Sequence, residues 1–204
     1  MAAIQTIFWD IGGVLLTNGW DRKQRRRVLT ELGVDLAEYE ERHDAANYYW
    51  ERGLSTEKEF FDKTIFYKSR SFTLEQLWKL IEGEQKVLFP ESFEILRELR
   101  ASKRYKIATL NNESRELNEL RLRKFDLRQY FDFFICSGYV GEMKPHLDIY
   151  REAVEVSGCA PEETVFIDDK QENADAASAL GMHGIRFVTP EGLRMQLAQL
   201  GVGL

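Results

Sequence analysis

The chain is short of cysteine, basic charge and long apolar stretches, and each shortage removes a class of protein. Two cysteines, Cys136 and Cys159, occur in 204 residues. They are too few for a disulfide framework, which favours a cytoplasmic compartment. No window approaches the roughly 20 uncharged apolar residues of a membrane span. The N-terminus has no basic region and Asp10 interrupts its apolar run, so no signal peptide is expected. Lys and Arg number 28 against 34 Asp and Glu, a formal charge of -6. A duplex nucleic-acid partner would leave a basic footprint, so none is expected. Internal repeats and low-complexity tracts are absent, and His43, His146 and His183 show no ligand spacing. Against these shortages, 44% of the residues are hydrophobic. That is ordinary for a globular protein and enough for a core. The length fits one α/β domain carrying an insertion, or two small domains.

What the chain does have is ordered punctuation. An apolar run, Ile4, Ile7, Phe8 and Trp9, stops at Asp10 and then Gly12-Gly13. Such a run reads as a buried parallel strand delivering a polar residue at its C-terminal end. The form recurs at Lys106 to Leu110 before Asn111-Asn112, at Phe133 to Cys136 before Ser137-Gly138, and at Thr164 to Ile167 before Asp168-Asp169. A last short strand is expected from His183 to Val188. Helical patterns over Glu91–Ala101, Glu113–Lys124, Leu147–Ser157 and Asn173–Leu180 alternate with the strands. Pro90, Pro161 and Pro190, each followed by Glu, mark helix starts. The alternation predicts an α/β fold with a doubly wound parallel sheet, whose ligands lie beyond the C-terminal strand ends. From about Trp20 to Phe89 the pattern is helical throughout, with starts near Ser55 and Thr73. The expected organisation is a core of residues 1–18 and 89–204 and a small helical cap of residues 19–88, a lid over the strand ends.

The sheet would therefore gather Asp10, Asn111-Asn112, Lys144 and Asp168-Asp169. Carboxylates from two strand ends suit a hard divalent cation such as Mg²⁺, which takes oxygen ligands and leaves room for phosphate oxygens. A nearby Lys would neutralise a transferring phosphoryl group, and a free carboxylate facing phosphorus would serve as nucleophile.

The segment Phe8-Trp9-Asp10-Ile11-Gly12-Gly13-Val14-Leu15 resembles motif I of the haloacid dehalogenase-like (HAD) hydrolases. Gly141-Glu142-Met143-Lys144-Pro145 resembles their lysine motif, and Phe166-Ile167-Asp168-Asp169 with Asn173 their acidic motif IV. Asn111-Asn112 stands where a Ser/Thr-Asn motif II belongs, and the helical segment sits where the family's first cap is inserted. The branch it most resembles contains sugar 1-phosphate phosphatases and the N-terminal phosphatase domain of epoxide hydrolases. The resemblance implies Asp10 as nucleophile and metal ligand, the Gly12 carbonyl as second ligand, and Asp168 as third. Asp169 would be a further ligand or support. Lys144, Asn111 and Asn112 would hold the phosphoryl oxygens, and Arg115, close behind them, would reach an anion. The implied activity is Mg²⁺-dependent hydrolysis of a small phosphorylated metabolite by a monomer or homodimer.

Two positions depart from the pattern. Most phosphatases of the superfamily carry a second Asp two residues after the nucleophile, as general acid; here it is Gly12. Motif II offers an amide, Asn111, in place of a hydroxyl, and an amide still donates. Losing a general acid costs about 10²–10⁴-fold, which favours a readily departing leaving group such as that of a sugar 1-phosphate or acyl phosphate. Two other readings follow from the same departures: a 2-haloacid dehalogenase, in which the same Asp attacks carbon without metal, and a catalytically impaired binder. Elsewhere the ordinary structural readings prevail. The basic run Arg22, Lys23, Arg25, Arg26 and Arg27 reads as a solvated helix face. Tyr48, Tyr49, Trp50, Phe60, Phe61, Phe66 and Tyr67 read mainly as the cap's own core, and the Asn112-Glu113-Ser114 sequon as incidental.

Overall fold

The computed structural model describes residues 2–203. In chain order its elements are β1 (Thr6–Trp9), α1 (Arg22–Glu31), α2 (Leu36–Glu51), α3 (Glu57–Thr64), α4 (Leu74–Glu84), α5 (Pro90–Ser102), β2 (Lys106–Asn111), α6 (Arg115–Lys124), β3 (Phe133–Cys136), α7 (Ser137–Val140), α8 (Leu147–Ser157), β4 (Thr164–Asp168), α9 (Gln171–Ala179), β5 (His183–Arg186) and α10 (Pro190–Gln199). The strands form one parallel sheet in the order β3-β2-β1-β4-β5. β1 lies in the middle and is buried along its whole length, which is why its sequence is apolar at nearly every position rather than at alternate ones.

The pleat still sorts side chains by face. Ile7, Trp9, Val165 and Ile167 pack with Leu96 and Leu99 of α5 and Leu193 and Leu197 of α10. Phe8, Ala108, Leu110 and Phe166 point the other way, onto Ile149, Tyr150 and Ala153 of α8 and Ala177 of α9. Helices therefore cover both faces, and the sheet is doubly wound as expected. A third apolar cluster belongs to α1–α4, with Leu29, Tyr39, Trp50, Phe60, Phe61, Leu77 and Ile81, and it takes in Leu117 and Leu120 of α6. The chain enters and leaves this helical unit side by side: Leu16 bridges Val87 antiparallel, and Thr17 N–H donates to Lys86 O at 2.9 Å. No helix among the described residues is long and apolar enough to cross a membrane.

Several boundaries differ from the expectation for local reasons. The α3 cap is Thr56, not Ser55, because only Thr56 stands three residues before Glu59 and closes a reciprocal capping box. α6 starts at Arg115 behind a Ser114 cap, not at Glu113, whose side chain is buried elsewhere. α9 runs from Gln171 to Ala179, and β5 stops at Arg186 with Val188 exposed. Pro161 opens one 3-10 turn that leads directly into β4. The four-residue α7 has no periodicity to announce it.

Candidate active site

Every strand end that the sequence punctuated with a polar residue opens toward α1–α4. Asp10 follows β1 and is fixed there by its N–H donating to Ile167 O at 2.8 Å. Lys144, from the loop between α7 and α8, reaches under it. Its Nζ lies 3.1 Å from Asp10 Oδ1 and 2.6 Å from Asp168 Oδ2, and donates to Leu110 O at 2.9 Å. The loop holding it is clasped by Asn112, whose carboxamide oxygen accepts from Lys144 N and whose Nδ2 donates to Lys144 O, each at 2.8 Å. Asn112 is thus a clamp on the lysine's backbone.

Asp168 is fully buried and its oxygens are committed. Besides Lys144, Oδ1 accepts from Lys170 N at 2.8 Å, and Asn173 Nδ2 lies 3.0 Å from both oxygens. Asp169 differs: its carboxylate lies against Gly13, where a Cβ would collide with it, and Gly13 has a φ of +73° that suits glycine. The carboxylates of Asp10, Asp168 and Asp169 lie within 4.8 Å of one another. Asn111 is buried, with one long bond, 3.4 Å to Asn118 Oδ1, and an unpartnered carboxamide oxygen.

Electrostatics follow from three clustered acids, two of which pair with the Lys144 ammonium. Burial raises the Asp10 pKa to about 6; Lys144 pulls it down, and Asp168 and Asp169 push it up. Burial opposes the Lys144 charge, yet Asp10 and Asp168 outweigh it and hold the ammonium above its ordinary value. Asp169 is raised by burial and by Asp168.

A cavity of about 540 Å³ opens above these groups, lined by Asp10, Gly12, Asn111, Asn112, Lys144 and Asp169 among others. Asp168 lies beneath its floor. Arg115 is not among the lining residues: its Nε donates to Gly138 O and its guanidinium lies 5.6 Å from the Tyr139 ring, so it serves a contact outside the cavity. The other walls escaped the sequence reading. They include Trp20, Arg25, Asn47 and Glu51 from the helical unit, and the buried pair Glu113–Arg121, joined at 2.9 Å. Arg25 is the buried member of the basic run, bonded to Trp20 O and Glu40; Lys23, Arg26 and their neighbours Arg22 and Arg27 turn away from the cavity. None of the seven cap aromatics singled out in the sequence reaches the cavity. Trp50 stacks on Phe60 instead, and Phe61 meets both edge-on. Ser114 of the sequon is fully buried, and burial pushes the Cys136 thiol up to about 12, which leaves it inert.

Residues 4–181 match the family profile described as haloacid dehalogenase-like hydrolase. The chain belongs to this family. Among curated relatives of this HAD-like hydrolase, flavin mononucleotide hydrolase 1 of Arabidopsis thaliana is 28% identical over 155 residues, covering 76% of this chain. The chain spans 62% of that relative's length. Glyceraldehyde 3-phosphate phosphatase of Methanothermobacter thermautotrophicus is 25% identical over 192 residues, 89% of this chain and 84% of that one. A predicted HAD-like hydrolase from Porphyromonas gingivalis superposes with a TM-score of 0.73 at 28% identity, covering 95% of this chain and 98% of its own. A HAD family enzyme from Bacteroides thetaiotaomicron, solved with magnesium and inorganic phosphate, shares the fold at a TM-score of 0.74 and 22% identity, covering 88% of this chain and 92% of its own.

Proposed function

We propose that this HAD-like hydrolase is a cytoplasmic, Mg²⁺-dependent phosphatase of a small phosphorylated metabolite, a sugar 1-phosphate by preference, acting through an aspartyl-phosphate on Asp10. The observation that carries the reading is the charge balance at the strand ends: three carboxylates cluster together, and two of them, Asp10 and Asp168, already share the buried ammonium of Lys144. Such a site is short of positive charge, and its donors are all oxygen, the set a hard cation prefers. Asp10, Asp169 and the Gly12 carbonyl would hold the ion; Asp168, with both oxygens taken, supports Lys144 and the turn into α9. A bound Mg²⁺ supplies charge against the phosphoryl oxygens. The flavin mononucleotide hydrolase and glyceraldehyde 3-phosphate phosphatase among the relatives point to the same reaction class. A haloacid is itself an anion and gains nothing from uncompensated carboxylates, so the dehalogenase reading is the weaker one.

In this mechanism Asp10 attacks phosphorus while Lys144 offsets the negative charge gathering on the phosphoryl oxygens. Asn111, the least committed amide at the site, donates to one of those oxygens. Water then cleaves the aspartyl-phosphate. Gly12 leaves the core with no proton donor for the leaving oxygen; an acyl group departs without a proton, and an anomeric oxygen needs less help than a simple alkyl one, which is why these are preferred. A screen of sugar phosphates, nucleotides and acyl phosphates with and without Mg²⁺ tests the reading. Phosphate release only with the ion, fastest from activated leaving groups and abolished in Asp10→Asn, is the expected result. Halide release from chloroacetate without metal, or unchanged phosphatase activity in Asp10→Asn, would refute it.

A further inference from the structure

Five carboxylates border the cavity: Asp10, Asp21, Glu51, Glu113 and Asp169. Four have employment. Asp10 and Asp169 belong to the nucleophile and ion site. Asp21 caps α1, accepting from Lys23 N and Gln24 N at 2.8 Å each. Glu113 is paired with Arg121 at 2.9 Å, accepts from Ser114 N at 3.2 Å, and is packed against Gly19, where a Cβ would strike it. Glu51 makes no ion pair among the described residues, and its hydrogen-bonding neighbour is the neutral Asn47.

Glu51 is also held in place with unusual care for a residue on the inserted helices. It is the last residue of α2, and it and the two residues after it dock on the core beside the Lys144 loop. Ser137 Oγ donates to Glu51 O at 2.6 Å, and Arg52 Nε donates to Gly141 O at 2.6 Å. Gly53 lies so close to Gly138 O that no side chain would fit, at a φ of +65°. Backbone bonds and a glycine contact thus fix the root of a side chain that lines the same cavity as Asp10.

We infer that Glu51 is the general acid of the reaction, supplied by the cap in place of the carboxyl that Gly12 lacks. The inference rests on the phosphatase reading above. As the Asp10 carboxylate bonds to phosphorus, the bond from phosphorus to the leaving oxygen breaks and its electron pair goes to that oxygen, which takes the proton of Glu51. The resulting Glu51 carboxylate accepts a proton from the water that attacks the aspartyl-phosphate. Phosphate leaves, the Asp10 carboxylate is restored, and Glu51 is again protonated. Burial favours the protonated form against the pull of Asn47 and of the Lys170, Arg25 and Lys144 charges.

Leaving-group dependence tests the assignment, because acetate departs from acetyl phosphate without a proton and a sugar hydroxyl does not. With Mg²⁺ present, Glu51→Gln should lower kcat/KM for a hexose 1-phosphate by about 10²–10⁴-fold, the usual worth of a general acid. Its kcat/KM for acetyl phosphate should stay within roughly tenfold of wild type, because that constant covers only the steps up to departure of the first product and omits the later water attack, and Glu51→Asp should recover part of the loss on the hexose 1-phosphate. The acetyl phosphate rate also shows that the variant is folded. Equal losses of kcat/KM on both substrates, or no loss on either, overturn the role of Glu51 and leave the phosphatase reading standing. Absence of phosphate release by the wild type from any of these overturns both.

Discussion

Lys144 and Glu113 show how differently two buried charges can be treated in one cavity. Lys144 is enclosed, yet it meets three oxygens from three segments, so its ammonium is better placed here than in water. Glu113 has Arg121 for a partner, but burial dominates and raises its pKa to about 7, against 4.5 for the free side chain. A group whose folded pKa is raised binds its proton more tightly in the folded state. Stability therefore falls as pH rises from about 4.5 through about 7 and is level above that. In urea unfolding between pH 5 and 8, the wild type should lose roughly 2 kcal/mol more than Glu113→Gln, because a tenfold difference in proton affinity is worth about 1.4 kcal/mol. The variant's own loss of the Arg121 ion pair is nearly constant over that range, so the difference in slope is the readout. Parallel slopes would mean that Glu113 stays charged throughout. Neither Glu113 nor Glu51 was legible in the sequence, because a glutamate beside or at the end of a helical pattern reads as solvated until the neighbouring elements are in place. Asp10, Lys144 and the Asp168-Asp169 pair were legible, because each interrupts an apolar run or stands in a short motif of its own.

At the scale of elements, the strands could be read because central strands of a parallel sheet are apolar at nearly every position and end abruptly. β1 and β4 meet both conditions, and each delivers its acid at the same level of the sheet. α7 could not be read, since four residues hold no period, yet Gly138 in it receives the turn after α2. The seam between α2 and α7 yields a controlled prediction. Gly33 and Gly53 share a φ of +65°, but a Cβ at Gly33 meets nothing within 4 Å whereas one at Gly53 strikes Gly138 O. Gly33→Ala should cost only the conformational penalty, about 1–2 kcal/mol, and leave kcat unchanged. Gly53→Ala should add the displacement of Glu51, lowering Tm further and cutting kcat on a hexose 1-phosphate by roughly tenfold or more, consistent with the sensitivity of catalysis to small misplacements. Equal effects of the two variants would show that the docking of α2 on α7 has no bearing on turnover.

On the scale of the whole molecule, the helical unit is packed down on the core. Its apolar cluster continues into Leu117 and Leu120 of α6, and Trp50 Nε1 donates to Glu116 Oε2 of the same helix at 2.9 Å. The formal charge of -6 says little about the cavity this packing encloses, where Arg25, Arg121, Lys144 and Lys170 stand among the acids. What the enclosed site lacks is positive charge at one spot, beside Asp10 and Asp169. An ion that binds there binds only the folded chain, because Asp10 and Asp169 come from two strand ends far apart in sequence. Mg²⁺ should therefore stabilise the protein by RT ln(1 + [Mg²⁺]/Kd), about 2.7 kcal/mol at a hundredfold excess over Kd. For a chain of this size that is a rise in Tm of roughly 5–10 °C, reversed by EDTA. Asp169→Asn should remove the rise, because it takes away the carboxylate with free oxygens while leaving Lys144 its two partners. Without Mg²⁺ this variant should be no less stable than wild type, since the burial and the Asp168 charge that raise the Asp169 pKa both weigh against a carboxylate there. A scanning fluorimetry series in Mg²⁺ with both proteins settles the placement, for an undiminished rise in Asp169→Asn would put the stabilising ion somewhere other than the strand ends.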